Sequence, residues 1–134
     1  MTHRVLIADD EAGMRLLLRK AIEKHPGFAV CAQAQNGEEA LELFEKERPD
    51  VVFLDEPYSG LDPHAVEIFD ELIERQREGR TFVMVSHDLQ KGFAMCTHAL
   101  VLARGRVVAF DQKDAFDFDE FAALYRSTVG MGVA

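Results

Sequence analysis

The segment VVFLDEP at residues 51–57 decides the predicted fold. Four apolar residues follow one another without interruption and end at two carboxylates, Asp55 and Glu56. A short, wholly apolar run of this kind, introduced here by Pro49-Asp50, is typical of a strand buried on both faces, as strands of parallel sheets are. The segment therefore predicts a central strand that ends at Asp55, with acidic side chains at its carboxyl end.

Apolar runs alternate with helical patterns on both sides of this segment. In the first helical pattern, apolar residues recur at i, i+3, i+4, i+7 and i+8, which is one face of a helix. The predicted strands are residues 4–8, 28–34, 51–54, 81–85, 99–103 and 106–110. The predicted helices are residues 11–25, a segment capped by Asn36, a segment that starts at Asp62-Pro63, and residues 88–97 and 117–127.

This alternation predicts the fold class. Strands that alternate with helices indicate a parallel sheet covered by helices on both faces. We therefore expect a flavodoxin-like three-layer α/β/α sandwich with parallel strand order 2-1-3-4-5. A tight turn at Arg104-Gly105 would add residues 106–110 as an antiparallel edge strand beside strand five. Residues 1–134 are predicted to form a single domain, because no linker, repeat or low-complexity segment interrupts them.

Composition narrows the classes of function. Of the 134 residues, 48% are hydrophobic and 29% charged, which predicts a soluble globular protein. The net charge of -9 argues against nucleic-acid binding, which needs clustered Lys and Arg. No apolar run is long enough for a signal peptide or a membrane span. Cys31 and Cys96 lack CxxC spacing and are interpreted as reduced thiols of a cytoplasmic protein. We predict no specific partner, and a monomer or weak homodimer.

Three carboxylates are predicted to meet at one edge of the sheet. Asp9 and Asp10 follow strand one, and Asp55 follows strand three. In the expected strand order these strands are neighbours, so the side chains converge where open α/β sheets bind ligands. Carboxylate oxygens suit Mg²⁺, which takes one or two of them and keeps several waters. The alternative is structural, since an Asp after a buried strand can cap the following helix.

The first part of the chain resembles a response-regulator receiver domain. The resemblance covers about residues 1–55 and rests on three blocks in order: VLIADDE at 5–11, NGEEAL at 36–41 and PDVVFLD at 49–55. It implies that Asp9 and Asp10 help bind Mg²⁺ and that Asp55 accepts a phosphoryl group. The cation would offset the charge on the transferring phosphoryl oxygens.

The receiver pattern is not complete beyond Asp55. Receivers continue with a loop that contains Met-Pro, whereas this chain has EPYSGLD at residues 56–62. They also carry a Lys after strand five, commonly before Pro, and this chain contains no Lys-Pro pair. The aromatic switch residue expected on strand five is missing as well. Ser86 matches the Ser or Thr that receivers have at the end of strand four.

The second part of the chain resembles the end of an ABC-transporter ATPase domain. This resemblance covers about residues 51–125, and VVFLDE at residues 51–56 has the Walker B pattern. Gly60, Leu61 and Asp62 match the D-loop, and His87 matches the switch histidine. The resemblance implies that Asp55 holds Mg²⁺ through water, that Glu56 polarises the attacking water, and that His87 contacts the γ-phosphate of a nucleotide.

The ATPase pattern is also incomplete. Its phosphate-binding loop, GxxxxGK[ST], supplies backbone N–H groups and a Lys to the nucleotide. The chain has no Gly-Lys pair, so this loop is absent, as are the LSGGQ-type signature and the Gln loop. No ATP binding is therefore expected. For His87 alone, the plainer interpretation is a packed or capping residue.

Together these patterns predict an engineered fold chimera with no complete active site. Its receiver-like half would be residues 1–55 and its ATPase-like half residues 56–134, sharing the strand that ends at Asp55. We expect no enzyme activity, with Glu56, Ser86 and His87 as remnants of catalytic sites, and at most weak Mg²⁺ binding. Two alternatives remain open: a phosphoacceptor receiver of two-component signalling that uses Asp55, and a remnant ABC-type nucleotide hydrolase that uses Glu56.

Overall fold

Strands and helices alternate along the chain as the sequence predicts. The computed structural model describes residues 2–59 and 62–133, with side chains of the last helix described to residue 127. The chain divides into two units, Met1–Ser86 and His87–Ala134, each with its own internal packing. The division falls after Ser86 and not at Asp55, where the two resemblances meet. The interpretation of residues 1–134 as one domain stays a prediction.

A four-stranded parallel sheet forms the first unit. Its strands lie in the order β2-β1-β3-β4, as predicted for the first four strands. The strands are β1 His3–Ala8, β2 Phe28–Ala34, β3 Val51–Asp55 and β4 Thr81–Val85; the helices between them are α1 Ala12–Glu23, α2 Gly37–Glu47 and α3 Pro63–Gln76.

Short polar side chains cap the N-termini of α2 and α3, where the sequence predicts that these helices begin. The Asn36 side chain accepts a hydrogen bond from the Glu39 backbone N–H at 2.8 Å, which caps α2. Asp62 accepts one from the Ala65 backbone N–H at 2.8 Å, and Pro63 occupies the first turn of α3. These caps fix where each helix leaves the carboxyl edge of the sheet.

Helices cover both faces of the first unit's sheet, so this unit has three layers. On one face, Leu6 and Val52 of the sheet and Phe44 of α2 and Ile73 of α3 line an apolar cavity of about 30 Å³. On the other face, Ile22 of α1 lies with side chains of β1, β2 and β3 around a cleft. Leu6 and Ile7 are fully buried, at 0% exposure. The flavodoxin-like α/β fold with a parallel central sheet is confirmed.

The second unit contains an antiparallel hairpin instead of the fifth parallel strand. Its elements are α4 Leu89–Met95, β5 His98–Ala103, β6 Arg106–Gln112, a 3-10 turn Lys113–Ala115 and α5 Phe118–Val133. Ala99 and Val101 pack against Phe121 in its core. Within the described residues, β5 pairs with β6 and not with β4, so the predicted position of strand five beside strand four is wrong.

The turn after β5 explains why β5 and β6 form a hairpin. Arg104 at φ 51° and Gly105 at φ 75° both adopt the left-handed conformation that a tight two-residue hairpin needs. Along β5, residues with buried and exposed side chains alternate, whereas a strand inside a parallel sheet is buried on both faces. The predicted antiparallel extra strand is therefore present, but it forms a separate two-stranded sheet with β5. Among the described residues, no helix is long and apolar enough to cross a membrane.

Candidate functional site

The parallel register brings two predicted carboxylates to one edge of the sheet. Ala8, the last residue of β1, pairs with Leu54 of β3. The next residue on each strand is therefore Asp9 on one side and Asp55 on the other. Asp55 itself pairs with Val85 at the end of β4, so the site lies at the carboxyl ends of three neighbouring strands.

Asp9 has one oxygen with a structural role and one without a partner. The side chain is 5% exposed, and it is the buried charged residue of the described core. Its Oδ1 accepts a hydrogen bond from the Glu11 backbone N–H at 3.0 Å, which supports the turn into α1. Its Oδ2 is buried and has no hydrogen-bond partner among the described residues. The capping alternative thus accounts for one oxygen of Asp9 and leaves the other unexplained.

The surroundings of Asp55 favour its protonated form. Its pKa is raised from the ordinary 3.8 to about 6, first by burial and then by Asp9 through hydrogen bonding and charge. The charges of Glu56 and Asp10 raise the pKa further. A hydrogen bond between two carboxyl groups requires a proton on one of them. A proton or a cation between Asp55 and Asp9 would therefore relieve the repulsion between the two carboxyl groups.

Protein stability should fall as Asp55 loses its proton. The folded pKa of about 6 lies above the ordinary 3.8, so the folded state holds the proton more tightly than the unfolded state. The resulting stability is fully present below pH 3.8 and is lost as the pH rises through about 6. Because Asp55 is only partly buried, we expect a loss of about 1 kcal/mol, less than the ~3 kcal/mol of a fully desolvated carboxyl.

Chemical unfolding of the metal-free protein at several pH values would test this expectation. The stability of the wild type, measured relative to that of Asp55→Asn, should decrease between about pH 4 and about pH 7. Parallel pH curves for the two proteins would show that Asp55 titrates normally.

Glu56 follows Asp55 in a strained conformation. Its φ of 47° lies in the left-handed region that residues with a side chain seldom adopt. The turn is held by two backbone hydrogen bonds, from Glu56 N to Val85 O at 2.8 Å and from Ser59 N to Glu56 O at 3.1 Å. The chain therefore bends sharply away from the sheet at the residue after Asp55, and Asp55 is left at the edge.

The contacts of Tyr58 and Arg15 were not predicted from the sequence. Tyr58 donates its hydroxyl hydrogen to Asp70 Oδ1 and packs edge-on against Phe69, which ties the loop after β3 to α3. Burial raises the pKa of Tyr58 above its ordinary value, and Asp70 adds to the rise. Arg15 donates to the backbone oxygen of Asp9 at 2.7 Å.

The other predicted site residues are distributed between the two units. Ser86 directly follows Val85, at the same carboxyl edge as Asp55. His87 begins the second unit, where Asp88 and not His87 caps α4 by accepting from Lys91 N at 3.0 Å. Asp62 caps α3, which gives this D-loop-like residue a structural role. Gly60 and Leu61 lie outside the described residues.

The donor set fits a divalent cation that keeps most of its waters. No group of three or more His, Cys, Asp or Glu side chains in the described part of the chain is arranged to hold a metal. Mg²⁺, however, commonly uses one or two carboxylates, and the interacting carboxyl groups of Asp55 and Asp9 would supply two. The predicted ligand set of Asp9, Asp10 and Asp55 stays a prediction.

These features define a class of protein: a parallel α/β fold with clustered carboxylates at the ends of adjacent strands. The sequence pattern of the response regulator receiver domain matches residues 5–99. The chain belongs to this family. The REC domain of AraT, a response regulator from Geobacillus stearothermophilus, has 31% sequence identity and a TM-score of 0.53, covering 68% of this chain and 70% of that chain.

Curated relatives match only part of the chain. Chemotaxis protein CheY of Bacillus subtilis is 44% identical over 55 residues, which are 41% of this chain and 45% of that protein. An uncharacterised ABC transporter ATP-binding protein of Methanocaldococcus jannaschii is 40% identical over 63 residues, 46% of this chain and 24% of that protein. The chain thus spans less than half the length of either relative.

Proposed function

We propose that the chain is a phosphoacceptor module of two-component signalling, in which Asp55 takes a phosphoryl group with Mg²⁺ beside it. Two observations carry the proposal: Asp9 and Asp55 interact closely enough to raise the pKa of Asp55, and the buried Oδ2 of Asp9 has no hydrogen-bond partner among the described residues. An unsatisfied buried carboxylate oxygen is costly unless a ligand completes it. Membership of the receiver family and the likeness to CheY over 55 residues support this function.

The chemistry requires a deprotonated Asp55. One carboxylate oxygen attacks the phosphorus of a small phosphodonor, a P–O bond forms, and the bond to the leaving group breaks with its electron pair. Above the pKa of about 6, Asp55 is charged and able to attack. Bound Mg²⁺ would supply positive charge to the phosphoryl oxygens. Asp9, Asp10 and Asp55 would hold the ion, and the bend at Glu56 keeps Asp55 at the edge.

Mass spectrometry with a small phosphodonor tests this function. In Mg²⁺ the wild type should gain the mass of one phosphoryl group, while the chelated sample and Asp55→Asn should gain none. Glu45→Gln, an exposed position on α2, removes one negative charge elsewhere in the first unit and should accept phosphate like the wild type. Unmodified wild type after long incubation in Mg²⁺ would refute phosphoryl acceptance.

A second candidate is an engineered chimera that keeps the architecture and a weak Mg²⁺ site without turnover. The identity of 40% over 63 residues with an ABC transporter ATP-binding protein favours it. So does the lack of a Lys-Pro pair and of a Gly-Lys pair, which leaves both family sites incomplete. Mg²⁺ stabilisation without phosphorylation would support this candidate. Phosphate release from ATP that is lost in Glu56→Gln would instead support the nucleotide hydrolase.

Either candidate is proposed to be a cytoplasmic protein without enzyme activity. Cys31 and Cys96 are both free thiols, each with a pKa raised by burial, which suits a reducing compartment. The excess of acidic residues, 24 against 15 basic ones, does not favour nucleic acid as a partner.

A further inference from the structure

The β5–β6 hairpin has one packed face and one exposed apolar face. On the packed face, Ala99 and Val101 lie against Phe121 in the core of the second unit. The opposite face, which we name the hairpin outer face, consists of five large apolar side chains that are 44–65% exposed: Leu100, Leu102, Val107, Val108 and Phe110.

The strand register makes this apolar surface continuous. Leu100 pairs with Phe110, and Leu102 pairs with Val107, so the exposed side chains form adjacent rows on neighbouring strands. The register shifts at this point and leaves Val108 without a cross-strand partner. An extra residue of this kind is a β-bulge, and here it places two consecutive exposed valines next to the rows.

The hairpin outer face carries little charge, although the chain has a net charge of -9. Asp111 pairs with the buried Ala99 and therefore belongs to the packed side. His98 closes the end of the outer face, with its ring 6.1 Å from that of Phe110. Two copies of this face would bring no carboxylates together, so like charges would not meet between them.

The size of the surface favours a weak self-association. Five such side chains offer on the order of 400 Å² of apolar area, similar to the largest patch on an ordinary monomer. Two copies would bury about 800 Å² in total, which is below the size of stable interfaces and corresponds to a weak, transient contact.

We propose that the hairpin outer face binds the same face of a second copy, giving a two-fold symmetric dimer. The two hairpins would stack face to face, about 10 Å apart, as layers of a β-sandwich do. Such an interface is isologous, so each copy contributes the same five side chains. The dimer does not depend on Asp55 or on Mg²⁺.

Sedimentation equilibrium over a wide range of protein concentrations tests the dimer. Phe110→Glu, at a side chain 65% exposed, should raise the dissociation constant at least about tenfold, because two carboxylates would then meet in an apolar interface. The matched control is Leu17→Glu, on α1 at 63% exposure, which should dimerise like the wild type.

Three outcomes would overturn the proposal. They are a wild type that stays monomeric at every concentration, a dimer that Leu17→Glu disrupts and Phe110→Glu does not, and assembly beyond two copies. Circular dichroism checks that the variants are folded. If Phe110→Glu does not fold, Val107→Lys at 62% exposure places like charges in the same interface and should weaken the dimer equally.

Discussion

Replacing Asp55 with Asn is expected to stabilise the metal-free protein above pH 7 and to abolish its response to Mg²⁺. The neutral amide removes the carboxylate whose pKa is raised to about 6 by burial and by Asp9, Glu56 and Asp10. We expect a gain of about 1 kcal/mol, which raises the melting temperature by roughly 4 °C in a chain of this size. The same change removes a ligand, so the two effects have opposite signs.

Mg²⁺ should stabilise the wild type by binding only its folded state. At a concentration ten times its dissociation constant the gain is about 1.4 kcal/mol. The gain should shrink below pH 6, since protons compete with the cation for Asp55. Melting curves of the wild type, Asp55→Asn and Glu45→Gln with Mg²⁺ and with a chelator would measure both effects. Equal stabilisation of all three proteins by Mg²⁺ would contradict a site at Asp55.

Truncating Leu6 to Ala is expected to cause the largest loss of stability, about 3–4 kcal/mol. Leu6 is 0% exposed and lies in β1, between β2 and β3 of the sheet. It already lines the cavity of about 30 Å³ on the α2 and α3 side, so its removal enlarges an existing void that the neighbours do not fill.

Chemical unfolding followed by circular dichroism measures this loss as a shift of the midpoint at an unchanged slope. The matched control is Leu17→Ala on α1, where the side chain is 63% exposed and the cost should stay within about 0.5 kcal/mol. A loss below about 1 kcal/mol for Leu6→Ala would mean that the core of the first unit collapses around the smaller side chain.

Much of the fold followed from local sequence patterns. Asn36 and Asp62 cap the helices that their spacing predicts, and both caps depend on residues within three positions. The position of strand five did not follow, because the local turn at Arg104-Gly105 sets the pairing of β5 with β6 and does not decide whether β5 also pairs with β4. The left-handed conformations of Arg104 and Gly105 favour the hairpin. Residues 99–103 are all apolar, so the alternation of buried and exposed side chains along β5 could not be predicted from the sequence.

The candidate site was predictable in position but not in its details. Strand order alone places Asp9 and Asp55 at one edge, since adjacent parallel strands end together. The two carboxyl oxygens of Asp9 differ in their hydrogen bonds because of the backbone path of the turn to Glu11. The spacing of residues in the sequence does not predict that path. The hydrogen bond between Tyr58 and Asp70 likewise depends on the bend of the backbone at Glu56.

The most direct test of the account is to locate the phosphoryl group on the chain. After treatment with a phosphodonor in Mg²⁺, borohydride reduces an aspartyl phosphate to homoserine, and peptide mapping then identifies the modified residue. We predict homoserine at position 55 in the wild type, and none there when Mg²⁺ is chelated. Homoserine at another position, or at none, would contradict Asp55 as the phosphoacceptor.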